Sequence, residues 1–165
     1  MKTLILLRHA EPIRNTYLED ADRTLTEKGV SDAYKTAESL TPYLKGDMQV
    51  ISSPAIRALH TAVIVMRKRA MPWELLSPEE FLWRGDENEV VDRLQMGVFP
   101  YNPLLIVGHN PVLERLTYAL TGKVPDGGMA PGCGVKIDFD ITDWQEMAAG
   151  KGSLAFSFNP NENSS

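Results

Sequence analysis

TLILLRHAEP, residues 3–12, joins a continuous apolar run to an abruptly polar end. Leu4 to Leu7 have the composition of a short strand buried on both faces, as in a parallel sheet covered by helices. The run stops at Arg8 and His9. Such an end, taken alone, is more often a strand reaching the surface; the sharper reading is a strand that serves as a platform for chemistry. PLLIVGHNP, residues 103–111, repeats the form: an apolar run, then His109 and Asn110 at a sudden polar turn.

The segments between and after these runs extend the pattern. In TEKGVSDAYKTAESLTPYL (26–44), Val30, Ala33, Ala37, Leu40 and Leu44 share one helical face, and Thr26 is placed to cap its start. MQVISS (48–53) reads as a second short strand, with Ser53-Pro54 opening a helix through about Met66. WELLS (73–77) is a candidate third strand. EEFLWRGDENE (79–89) reads as a loop, and Val90, Val91 and Leu94 predict a helix after it. Asn110-Pro111 reads as another helix start, with Leu113, Leu116 and Leu120 on one face and Gly122 as the stop. VKIDFDI (135–141) and SLAFSF (153–158) alternate like half-buried strands and can pair through a turn.

Strand–helix alternation followed by two alternating strands predicts an α/β fold. The expected architecture is a three-layer sandwich: a mostly parallel central sheet, helices on both faces, and antiparallel strands late in the chain. With 165 residues, 43% of them hydrophobic, one domain over residues 1–158 is expected, with 159–165 as a disordered tail.

Charge and composition bound the function. A net charge of -5 argues against non-specific binding to nucleic acid or to an anionic membrane as the main role. No apolar stretch approaches the length of a membrane span, and LILL is too short for a signal-peptide core. A single cysteine, Cys133, excludes an intrachain disulfide and fits a cytoplasmic protein. Its place in PGCGVK suits a small residue entering a strand rather than a reactive thiol. Three histidines without a zinc-type spacing argue against a metal hydrolase, and no glycine-rich phosphate loop follows any strand.

In parallel α/β sheets, ligands bind beyond the carboxyl ends of the strands. Those ends carry Arg8 with His9, SSPAIR with Arg57, and GHN with His109. If the strands are neighbours, two arginines and two histidines converge there. Guanidinium groups give fixed, paired donors to phosphate oxygens, and helix N-termini add oriented N–H groups. A neutral imidazole among such cations is a candidate nucleophile, its pKa pushed down by the neighbouring positive charge.

LLRHAEP, DRTLTEKG, SSPAIRALHTA and IVGHNP, in that order, resemble the histidine phosphatase superfamily, also called phosphoglycerate mutase-like. The Arg-His-Ala form and the short chain make it most similar to the SixA-type phosphohistidine phosphatases. The resemblance implies a metal-independent phosphatase that needs no cofactor. His9 then matches the nucleophile, Arg8 and Arg57 the phosphate-binding arginines, and His109 the second histidine at the phosphoryl oxygens. Asn15 falls near a position that lines the family's pocket, and His60 stands where glutamine is common, one turn after Arg57. Glu80 is the first choice as general acid, followed by Asp86, although SixA-type members are able to lack one. The implied partner is a phosphorylated substrate, with a histidine-phosphorylated signalling protein ahead of small sugar phosphates.

Overall fold

The computed structural model describes residues 1–15 and 17–162. Six strands form one sheet: β1 (Lys2–Arg8), β2 (Gln49–Ser52), β3 (Leu76–Pro78), β4 (Leu104–Gly108), β5 (Gly134–Phe139) and β6 (Gly152–Phe158). Their order is β3-β2-β4-β1-β5-β6. The first four strands are parallel, and β5 and β6 join antiparallel. Among the described residues, five α-helices lie in the connections: α1 (Glu27–Leu40), α2 (Ile56–Lys68), α3 (Phe81–Arg84), α4 (Glu87–Gln95) and α5 (Val112–Thr121).

The opening apolar run is continuous because both faces of β1 are covered. Ile5 and Leu7 pack with Ala37 and Leu40 of α1 and with Ala58, Ala62 and Val65 of α2. Leu4 and Leu6 pack on the opposite face with Leu94 of α4 and Leu113, Leu116 and Leu120 of α5. All four β1 side chains are fully buried, each contributing about 1.5–3 kcal/mol relative to exposure. The expected three layers are present, and β1 lies in the middle of the sheet. Val135, Ile137 and Phe139 of β5 share the buried face that their alternation predicts.

Local departures have physical causes. Ser53 does not cap α2 in the expected way: the helix begins at Ile56, behind Ala55. The Ser53 hydroxyl instead meets His109 and accepts from the Ala55 amide at 3.3 Å. WELLS divides into a 3-10 turn at Trp73–Leu75 and the strand β3. The expected loop at 79–89 holds the one-turn α3, then Asp86, whose side chain accepts from the amides of Asn88 and Glu89 to cap α4. Leu44 and Ile141 lie past the ends of α1 and β5 but are still buried in the core. In the tail, Asn159–Glu162 make a hydrogen-bonded turn that Lys28 reaches through Asn161. Residues 163–165 lie outside the described residues.

Candidate active site

His9 sits immediately beyond β1, where its amide donates to the Gly108 carbonyl at the end of β4 (3.0 Å). The loop that follows is fixed from two sides. The Ala10 amide donates to Thr61 Oγ1 at 3.0 Å, and that hydroxyl donates to the Arg57 carbonyl at 2.8 Å. Thr26 Oγ1 caps α1 through the Gly29 amide and donates to Glu11 Oε2 at 2.8 Å. Gly29 permits this approach, since a Cβ there would stand 2.3 Å from the Glu11 carbonyl oxygen. The DRTLTEKG stretch is therefore the seat on which the loop after His9 rests.

The hydrogen bonds of the His9 ring fix its tautomer. Nδ1 lies 2.7 Å from the Ala10 carbonyl, which only accepts, so Nδ1 carries the proton. Nε2 faces Arg57 Nε at 3.3 Å, which only donates, so Nε2 presents its lone pair. Arg57 lies in the first turn of α2 and is buried. Its remaining nitrogens donate to Asp20: Nη1 to the carbonyl at 2.5 Å and Nη2 to Oδ2 at 2.9 Å. Asp20 Oδ1 also accepts from Arg23 Nε (2.9 Å) and Nη2 (2.6 Å). Trp83 of α3 lies under this group. The Arg57 guanidinium is 5.4 Å from its ring and the His109 ring is 5.2 Å away, edge to face.

His109 follows β4, with its ring centroid 5.1 Å from that of His9. Its Nε2 meets Ser53 Oγ at 2.7 Å, and its Nδ1 is buried without a hydrogen-bond partner among the described residues. Arg8 reaches away from the sheet to donate from Nη1 to the Met129 carbonyl at 2.8 Å.

Burial is the main force on both histidines. It lowers His9, opposed by the Ala10 hydrogen bond and reinforced by the charges of Arg57, Arg8 and Arg23, to about 4. It lowers His109 further, with help from His9 and Arg57, to about 3. Neighbouring cations therefore act as expected on His9 but are second to desolvation. Partial burial pushes Asp20 up, but the hydrogen bonds and charges of Arg23 and Arg57 outweigh it and hold the carboxyl below its usual value. Cys133 is buried and its thiol is pushed up, chiefly by that burial.

An open cavity of about 400 Å³ lies over these groups. Arg8, His9, Arg57 and His109 line it, so the three strand ends do meet. Arg14, Arg23, Asp20, Glu11 and Asn110 line it as well. Four expected residues are not among its walls. Glu80 points outward and pairs with Arg84 at 2.8 Å; Trp83, from the same short helix, takes the place facing the histidines. Asp86 caps α4. Asn15 Oδ1 accepts from the Tyr17 amide, which closes a turn, and half-buried His60 stays off the cavity. Among the described residues, no three His, Cys, Asp or Glu side chains gather in a metal-binding cluster, and no helix is long and apolar enough to cross a membrane.

Sequence reading missed Asp20, Arg14 and Arg23 as cavity residues. They lie on the segment between the RHAEP and LTEKG stretches, whose polar composition carries no periodic signal.

Residues 4–78, which include His9 and Arg57, match the model of the histidine phosphatase superfamily (branch 1). Over this stretch the chain is similar to the histidine phosphatase superfamily. Over 95 residues it is 34% identical to the 2,3-bisphosphoglycerate-dependent phosphoglycerate mutase 2 of Bacteroides thetaiotaomicron. That match covers 56% of this chain and spans 37% of the length of the mutase. In fold, the likeness to solved structures extends over nearly the whole chain. The protein histidine phosphatase SixA complexed with tungstate superposes with a TM-score of 0.79 at 20% identity, covering 96% of this chain and 97% of that one. The α-ribazole phosphatase of Shigella flexneri superposes with a TM-score of 0.70 at 21% identity, covering 96% of each.

Proposed function

We propose that this protein is a phosphatase that takes a phosphoryl group onto His9 Nε2 and releases it to water, with phosphohistidine in a protein as its substrate. The observation that carries the reading is the His9 ring itself. Its proton is held at Nδ1 by the Ala10 carbonyl, which leaves the Nε2 lone pair on a ring that lines a cavity with several arginines. Arg57 Nε–H donates to that lone pair. Once Nε2 is bonded to phosphorus the lone pair is gone, and the same N–H faces a phosphoryl oxygen. Arg8 and His109 are placed to stabilise the remaining oxygens, so the work is positioning and charge stabilisation.

In the first step, Nε2 forms a bond to phosphorus while the bond to the leaving group breaks, and the leaving group takes that electron pair. In the second, water attacks phosphorus and the P–Nε2 pair returns to the ring. Because Nδ1–H persists throughout, His9 departs as a neutral imidazole.

The carboxylates of the cavity favour a P–N substrate. Asp20 is ionised and paired with two arginines, and Glu11 accepts from the Thr26 hydroxyl. Glu80 is turned to solvent. None of the three is left unpaired to serve an alkoxide leaving group, whereas an imidazole leaving group needs less protonation. The open cavity suits a side chain presented by a protein, and the fold match to a protein histidine phosphatase supports this. The match to α-ribazole phosphatase supports small phosphomonoesters as the second reading.

A direct comparison of turnover separates the two. A histidine-phosphorylated carrier protein is expected to be hydrolysed with a higher kcat/KM than any of a panel of sugar phosphates and aryl phosphates. A preference for the small esters would overturn the P–N assignment, and no turnover of either would overturn the phosphatase.

A further inference from the structure

The arm that holds Arg8 is separate from the one that holds Arg57. Arg8 is partly buried, its Nε has no hydrogen-bond partner among the described residues, and burial lowers its pKa while the charge of Glu114 opposes that. Among the described residues its guanidinium donates to one acceptor, the Met129 carbonyl. Met129 lies in the Gly- and Pro-rich connection between α5 and β5, which has no regular secondary structure to hold it. Glu114, in the first turn of α5, supplies the anchor. Its Oε1 accepts from the Met129 amide at 2.7 Å and from Asn110 Nδ2 at 2.8 Å. Asn110 Nδ2 in turn donates to the Met129 carbonyl at 2.9 Å, beside the Arg8 bond. The peptide units flanking Met129 are thus pinned at both ends. The approach is close: a Cβ on Gly128 would stand 2.7 Å from Glu114 Oε1.

We infer that Glu114 is a positioning residue for Arg8, acting through Met129 and Asn110 to hold the guanidinium at the phosphoryl site. The inference rests on the reading of the cavity as a phosphoryl site. Both hydrogen bonds end on one oxygen, Oε1, so what the device needs is an acceptor and not a charge. Glutamine supplies that acceptor through its amide oxygen, and leucine does not.

Calorimetric titration with inorganic phosphate tests this in the full chain. Glu114→Leu is expected to weaken phosphate binding about tenfold, the scale of losing a buried acceptor, while Glu114→Gln restores it to within about twofold. In an Arg8→Gln background, Glu114→Leu is expected to add no further loss. A full further loss there, or Glu114→Gln as weak as Glu114→Leu, would overturn the inference. Should Glu114→Leu fail to fold, Asn110→Ala removes the second hold on the Met129 carbonyl and carries the same expectations. If the unaltered protein binds no phosphate, the phosphoryl-site reading fails and the inference falls with it. If it binds phosphate and Arg8→Gln weakens binding but Glu114→Leu does not, only the inference fails.

Discussion

Arg57 Nε stands 3.3 Å from His9 Nε2, so a permanently charged donor is aimed at the lone pair of a buried imidazole. The contact is compatible only with a neutral ring, because a protonated Nε2 would bring two donors together. Burial and the surrounding arginines favour the same state.

Activity should therefore persist well below the ordinary histidine range. With His9 lowered to about 4, the acid limb of kcat/KM on a phosphoryl substrate is expected near pH 4 and not near 6.5. Arg57→Gln removes a positive charge and should raise the His9 pKa, though burial keeps it below 6.5. An NMR titration of the His9 ring reads this directly, and an unperturbed value would contradict it.

The same shift links to stability. The unfolded chain binds a proton at His9 near pH 6.5, whereas the fold resists protonation until about 4. The favourable contribution of the neutral ring is fully present above 6.5 and is lost as pH falls toward 4. The thermal denaturation midpoint is expected to fall as pH drops across that window, and His9→Asn should flatten this part of the profile.

Asp20 occupies the donors of Arg57 that a phosphoryl group would use, yet its side chain is 56% exposed against 6% for Arg57. The cation is fixed and the anion is displaceable. Asp20→Asn removes a negative charge that competes with phosphate. Product inhibition by inorganic phosphate should tighten roughly three- to tenfold, the scale of one partly screened charge pair. Weaker inhibition would mean that Asp20 chiefly holds Arg57 in place.

Glu80→Gln should change kcat by less than about twofold, because its partner is the exposed Arg84 and such surface pairs contribute little. A large loss with an altered basic limb of the pH profile would return Glu80 to the site.

Gly29→Ala forces a methyl group against the Glu11 carbonyl, where backbone and not a flexible side chain must yield. A loss of about 1–3 kcal/mol in denaturant unfolding is expected. Activity should fall as well, since Glu11 and Pro12 line the cavity.

The legible parts of the fold share one cause. A residue run reports burial on its own element, so the continuous LILL run and the alternating VKIDF run read correctly as a doubly covered strand and a half-covered one. The convergence of Arg8, His9, Arg57 and His109 was legible because each lies at or within a few residues of the carboxyl end of a strand, and parallel strands present those ends together. Residues carried on connections were not legible. Asp20 and Arg23 reach the cavity by the path of an irregular segment, and Glu80 misses it because α3 turns Trp83 toward the histidines instead. Ser53 and Asn110 read as helix caps because their types suit caps. The structure gives their side chains to His109 and to Glu114 with Met129.

The central claim is that phosphorus becomes bonded to His9 Nε2, and isomer-resolved trapping of the phosphoenzyme tests it most directly. The protein would be mixed with a 32P-labelled phosphohistidine donor, quenched in base, digested and mapped by mass spectrometry with isomer-specific phosphohistidine detection. Because Nδ1–H is held by the Ala10 carbonyl, the label is expected on His9 at Nε2 alone, and it should be absent from His9→Ala. Label on Nδ1, label at another residue, or label that persists in His9→Ala would contradict the account.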